Sequence, residues 1–182
     1  MKNALIVHGT GGSSRSNWFP WLKAELEERG WRVWVPDLPQ ADRPDVELYN
    51  QFILGTDWHF DKESVLIGHS SGAVAILGLL PRLRVRVDTC ILVGAFKDDL
   101  GWANLGGLFR NPLDFASSRG HARRFVLVHS DNDPYCPLEH AEYLAERLGG
   151  KLIVKKGEGH FNMEAGPQYR KFPLLLEILE AR

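Results

Sequence analysis

The chain has 182 residues, 44% of them hydrophobic, enough for one domain over residues 1–182 with a substantial core. Its 22 lysines and arginines nearly balance 23 aspartates and glutamates, and a net charge of −1 argues against the basic stripe that a nucleic-acid partner requires. Two cysteines without a C-x-x-C pair indicate neither a zinc site nor a disulfide framework, and the first apolar run, Ala4–Val7, is too short for a signal segment or membrane span, so a soluble cytoplasmic protein is expected.

Short apolar runs alternate with longer amphipathic ones, the pattern of an α/β sheet of mainly parallel strands covered by helices. The first strand spans about 3–8 and ends in His8-Gly9-Thr10-Gly11-Gly12. A helix over about 17–29 sets Trp18, Trp21, Leu22 and Leu26 on one face and stops at Gly30. The second strand is Trp31–Val35, closed by Pro36, and a weaker helix follows over about 44–56. The third strand, 64–68, feeds a helix over about 71–80. After it, Arg82-Leu83-Arg84-Val85-Arg86 reads as a solvated helix end leading into the fourth strand, 89–93, where Cys90 is a small core residue. Residues 95–120 form a short cap or irregular excursion with two brief helices. The fifth strand is Arg124–Val128, a helix spans about 137–148, the sixth strand is Leu152–Lys155, and a final helix spans about 167–181. Ligand sites in such sheets lie at the carboxyl ends of the strands.

The most informative motif lies at the third such end. Gly68-His69-Ser70-Ser71-Gly72 is G-x-S-x-G between an apolar strand and a helix, the arrangement of a nucleophile elbow. Its glycines let strand and helix approach closely while the serine hydroxyl stands out above the sheet. A serine nucleophile needs a base and a group that orients the base, expected in the order Ser, Asp or Glu, His. The loop after the fifth strand, His129–Pro137, offers Asp133, stiffened by Pro134 and Pro137, with Asp131 as the other carboxylate. The loop after the sixth strand offers His160 beside Gly159. Of the other histidines, His8 braces its loop, His69 faces away along the elbow and His129 ends a strand. His140 lies in a helix, while His59 and His121 lie in linkers.

An oxyanion needs backbone N–H donors. One is expected from Ser71 and the other from Thr10, with Gly9 next, unless His8–Gly12 is only a glycine-rich connection. Gly9-Thr10-Gly11 with Asp37 faintly echoes a dinucleotide fingerprint, but Ser14 occupies its third glycine position and Ser70, Asp133 and His160 would stay unexplained. No cofactor is called for.

On His8-Gly9 with Gly11-Gly12, Trp18 and Trp21, Leu66–Ala73, Asp133-Pro134 and Gly159-His160-Phe161, the chain resembles the α/β-hydrolase superfamily. Within it, the likeness is to small serine hydrolases grouped with the retinoblastoma-binding hydrolase and its bacterial relatives. The resemblance implies a compact fold with a six-stranded parallel sheet, little or no lid, and triad roles for Ser70, Asp133 and His160. Neither Cys90 nor Cys136 sits in an L-x-C-x-E motif, so binding to the retinoblastoma protein is not carried over.

Trp102, Phe109 and Trp58, with Phe96, Leu105, Leu108, Phe115 and Phe60, either wall an acyl or leaving-group pocket or form core under a long connection. The expected activity is a serine hydrolase, carboxylesterase-like or an amidase, cleaving a small ester, thioester or amide through an acyl-enzyme. The alternatives are an acyltransferase using the same residues and a non-catalytic interaction protein on the same scaffold.

Overall fold

Six strands form one sheet: β1 (Asn3–Val7), β2 (Arg32–Trp34), β3 (Ser64–His69), β4 (Val87–Val93), β5 (Ala122–Ser130) and β6 (Lys151–Lys155). The order is β2-β1-β3-β4-β5-β6 and every neighbouring pair is parallel. The structure is a computed structural model and describes residues 1–181. Strands buried on both faces read as unbroken apolar runs, and these runs divide by alternation. Leu5, Val7, Leu66, Cys90, Leu92, Phe125 and Leu127 enter one core. Ala4, Ile6, Val65, Ile67, Ile91, Val93, Val126 and Val128 enter the other.

The first core is covered by α2 (Val46–Leu54), α3 (Ser71–Leu79), α4 (Phe115–His121) and α5 (Leu138–Leu148), the second by α1 (Phe19–Glu28) and α6 (Leu174–Glu180). Helix α3 is buried along nearly its whole length, which explains an apolar sequence with no polar stripe. Gly78 lets α2 pack onto it: a Cβ there would stand 2.1 Å from Val46 Cγ2. No helix among the described residues is long and apolar enough to cross a membrane.

Two expectations change at the ends of elements. Strand β5 starts at Ala122 and runs through His129 and Ser130, so both belong to the strand rather than to the loop beyond. The expected helix over 167–181 is broken into a 3-10 turn, Pro167–Arg170, and α6. Lys171 is extended and Pro173 disfavours helix at Phe172, whose ring instead enters the second core. The 95–120 excursion carries a 3-10 segment, Ala103–Leu108, and α4.

Strand order reverses between β1 and β3, since β1 is followed outward by β2 while β3 starts the opposite half. Their connecting loops diverge there and leave a crevice at the carboxyl rim.

Candidate active site

Ser70 follows β3 and sits at φ 56°, ψ −125°, a left-sided conformation that a residue with a Cβ adopts only under constraint. The constraint is visible on each side of it. Its N–H donates to the Val93 carbonyl at 2.8 Å. A Cβ on Gly68 would lie 2.5 Å from Ala73 Cα, and one on Gly72 would lie 2.4 Å from the Val7 and His8 carbonyl oxygens. Only glycine allows this approach of α3 to β1 and β3. Gly9 is also tight, though less so, its added Cβ standing 2.9 Å from Ser70 Cβ.

The loops after β5 and β6 bring Asp133 and His160 together. Asp133 Oδ2 lies 2.6 Å from His160 Nδ1, with both side chains almost wholly buried. Asp133 Oδ1 accepts the N–H groups of Tyr135 and Cys136. Burial pushes the Asp133 carboxyl up, but the hydrogen bond and charge of His160 and the two N–H groups outweigh it and hold it below its ordinary value. The hydrogen bonds of His160 run through Nδ1 and its carbonyl, leaving Nε2 for the cavity. Asp131 is elsewhere: its Oδ1 takes the Gly157 N–H at 2.8 Å. Asn132 takes the Gly159 N–H and Ser130 Oγ takes the Glu158 N–H, so three neighbouring side chains tie the His160 loop to the Asp133 loop.

The loop after β1 is braced by His8, whose Nδ1–H donates to the Gly9 carbonyl at 2.8 Å while Nε2 accepts the Leu38 N–H at 3.0 Å. Desolvation lowers the pKa of this ring, consistent with a neutral form that both donates and accepts. Asp37 accepts the Ser14 N–H, and Gly11 donates to the Ala41 carbonyl. Asp37 therefore spends its carboxylate on the loop itself. Thr10 Oγ1 donates to Ser71 Oγ at 2.9 Å, placing the two expected oxyanion donors side by side. Ser71 opens α3, so its N–H has no acceptor within the helix.

Ser70, His160 and the Gly9–Thr10 loop share a cavity of about 400 Å³, whose lining also includes His69 and Trp102. Trp102 reaches it; Phe109 and Trp58 lie outside. Phe109 packs behind Phe96, ring centroids 5.9 Å apart, as a second layer. Trp58 packs on Trp34 at the edge of the sheet, with Arg32 over its ring. Cys136 offers a sulfur within 4.8 Å of Asp133 and His160. Burial, then the Asp133 charge, pushes its thiol pKa far up, and the other two groups are bound to each other. The set is poor for a metal. A second cleft, about 370 Å³, carries the charged groups Lys2, Glu63, Asp88, Arg123 and Arg124. There the Arg124 guanidinium is committed to the carbonyls of Ile178 and Ala181.

Three supporting residues were not legible in the motifs. His69 does not turn away from the site. It is buried, its ring lies 4.7 Å from that of His160, and its Nε2–H donates to the His160 carbonyl at 2.8 Å. Burial, then the neighbouring His160, pulls its pKa down to about 3. Gly94, just after β4 at φ 60°, leaves room for the Asp–His pair, since a Cβ would stand 2.9 Å from His160 Cε1. Trp18 donates its indole N–H to the Phe161 carbonyl and so fixes the residue after His160. The sequence marked Trp18 and His69 only as members of the resembling motifs, with no such role, and Gly94 only as a glycine at the carboxyl end of a strand.

The chain is similar to known proteins along nearly its whole length. Serine hydrolase RBBP9 of Rattus norvegicus is 29% identical over 163 residues, covering 87% of this chain and 86% of that protein. YdeN of Bacillus subtilis is 26% identical over 181 residues, covering 98% and 94%. The solved structure of the B. subtilis ydeN gene product superposes with a TM-score of 0.92 at 25% identity, over 100% of this chain and 98% of that one. Est1E of Butyrivibrio proteoclasticus, solved with ferulic acid, shares the fold at a TM-score of 0.76 and 15% identity, over 99% and 87%. Residues 4–181 match the serine hydrolase family, and with a sheet of α/β-hydrolase form beneath that match, this chain belongs to it.

Proposed function

We propose that this hydrolase cleaves small esters, thioesters or amides through an acyl-enzyme, with Ser70 as nucleophile, His160 as base and then acid, and Asp133 as the group that orients His160. The observation that carries the reading is the 2.6 Å Asp133–His160 bond at the wall of the cavity into which strained Ser70 projects. Asp133 holds a proton on Nδ1, so Nε2 is the lone pair that takes the Ser70 hydroxyl proton. Oγ then bonds to the substrate carbonyl carbon, and the carbonyl π pair moves onto oxygen. The N–H groups of Ser71 and Thr10, with Gly9 beside them, receive that oxyanion, each worth about 2.7–4 kcal/mol. Collapse expels the leaving group, which carries away the proton from Nε2. Water repeats the cycle on the acyl-enzyme and releases the acid.

Trp102 supplies an aromatic wall for the substrate. A cytoplasmic setting accords with two free, buried thiols. A fluorophosphonate probe is expected to label the wild type and not Ser70→Ala, and nitrophenyl acetate should give a burst equal to the enzyme present. Equal labelling of Ser70→Ala would overturn the assignment of the nucleophile.

A further inference from the structure

The cavity beside Ser70 has two unlike walls. Phe96, Leu100 and Leu105 make an apolar side. Opposite the apolar side chains in character are Asn162, Tyr135 and Glu164, and among the described residues Glu164 is the only Asp, Glu, Lys or Arg in the lining. Its carboxylate accepts the Tyr135 hydroxyl and, at 3.4 Å, the Asn162 amide. No cation pairs with it among the described residues. Its partners within the protein are neutral groups, the Tyr135 hydroxyl and the Asn162 amide.

The aromatic neighbours point the same way. Trp102 is 45% exposed and Tyr135 36%, large rings left open at the mouth of the cavity, 5.9 Å apart and nearly perpendicular. A carboxylate flanked by exposed aromatic faces offers a cation both a counter-charge and ring quadrupoles. Donation of the Tyr135 hydroxyl to Glu164 enriches that ring's face further. The same ring lies 5.1 Å from His160, the group that hands its proton to whatever departs. The receptor therefore flanks the leaving group, and the acyl part falls to the apolar wall.

Building on the hydrolase reading, we infer that the leaving group is a cation, a protonated or quaternary amino alcohol or a diamine. It sits between Trp102 and Tyr135 with Glu164 as its counter-charge. Glu164 and Trp102 are then the residues that select the substrate.

The experiment compares three esters of one short acyl group: trimethylammonioethyl, its uncharged isostere 3,3-dimethylbutyl, and the anionic sulfoethyl. The wild type is expected to favour the cationic ester over the isostere by roughly tenfold in kcat/KM, with the anionic ester last. Glu164→Gln and Trp102→Ala should each bring the cation-to-isostere ratio down to about twofold. The ratio is internal to each preparation, so partial misfolding of a variant does not imitate the result. Equal kcat/KM for the charged ester and its isostere, with turnover of both lost in Ser70→Ala, would overturn the cation site and leave the hydrolase standing. An unchanged ratio in Glu164→Gln removes Glu164 from the recognition. Turnover that persists in Ser70→Ala, or is absent for every ester, would overturn the hydrolase reading and this one with it.

Discussion

Gly94 takes no part in the proposed bond making, yet it sets where the His160 ring stands. A methyl group there collides with the imidazole of His160, and φ 60° adds a cost of roughly 1–2 kcal/mol for any residue with a Cβ. Displacement of the ring by about an ångström is enough to lower kcat on the order of 100-fold. Gly94→Ala is thus expected to bind a slow ester with nearly normal affinity and to turn it over about 100-fold more slowly, measured by pre-steady-state acylation. Normal acylation would show that His160 is not held from below. The residues proposed to carry chemistry, Ser70, Asp133 and His160, stood out in the sequence because each follows a strand and stands in a recognisable loop. Gly94, His69 and Trp18 did not, because what they do depends on which strands are neighbours, and β4 lies between β3 and β5 only once the sheet has formed. Aromatic composition was equally silent on direction. Trp102, Phe109 and Trp58 are chemically alike in the sequence, and only folding sends one into the cavity, one behind its wall and one to the edge strand.

Among elements, α2 shows how much a helix owes to its first residue. Asp45 caps it, its Oδ1 accepting the N–H groups of Glu47 and Leu48 at 3.0 Å, while Oδ2 pairs with Arg110 from the irregular excursion. Asp45→Ala removes both roles. A loss of about 1–2 kcal/mol in urea unfolding is expected, dominated by the cap, since Arg110 is largely solvated. Esterase activity should stay within about twofold, and Asp45→Asn should recover most of the stability. An Asn variant no better than Ala would give the loss to the ion pair instead. The element boundaries that shifted did so for local reasons that a hydrophobic pattern does not encode. The segment 167–181 has helical composition throughout, but Pro173 and the burial of Phe172 against Phe161 divide it.

Over the whole molecule, acid acts on several buried imidazoles at once. Burial, their first cause, lowers the pKa values of His8, His69 and His129, so the folded chain binds fewer protons than the unfolded chain below pH 6.5. Stability from these groups is complete above that pH and falls as pH drops. For His69 the fall continues to about pH 3. Asp133, held below its ordinary value, adds a further loss once carboxylates protonate. Urea midpoints are expected to decline steadily from pH 7 to pH 4, and less steeply in His69→Gln. Parallel slopes for the two proteins would remove His69 as a source. The stitching of the His160 loop to the Asp133 loop has a separate consequence for anyone who wishes to re-engineer the molecule. Ser130, Asp131 and Asn132 each grip a backbone amide of the facing segment, so neither segment tolerates added length without unseating the other. New recognition is better grafted onto the stretch between Ala95 and Gly120, where extra residues can accumulate over the entrance while the reacting groups keep their spacing.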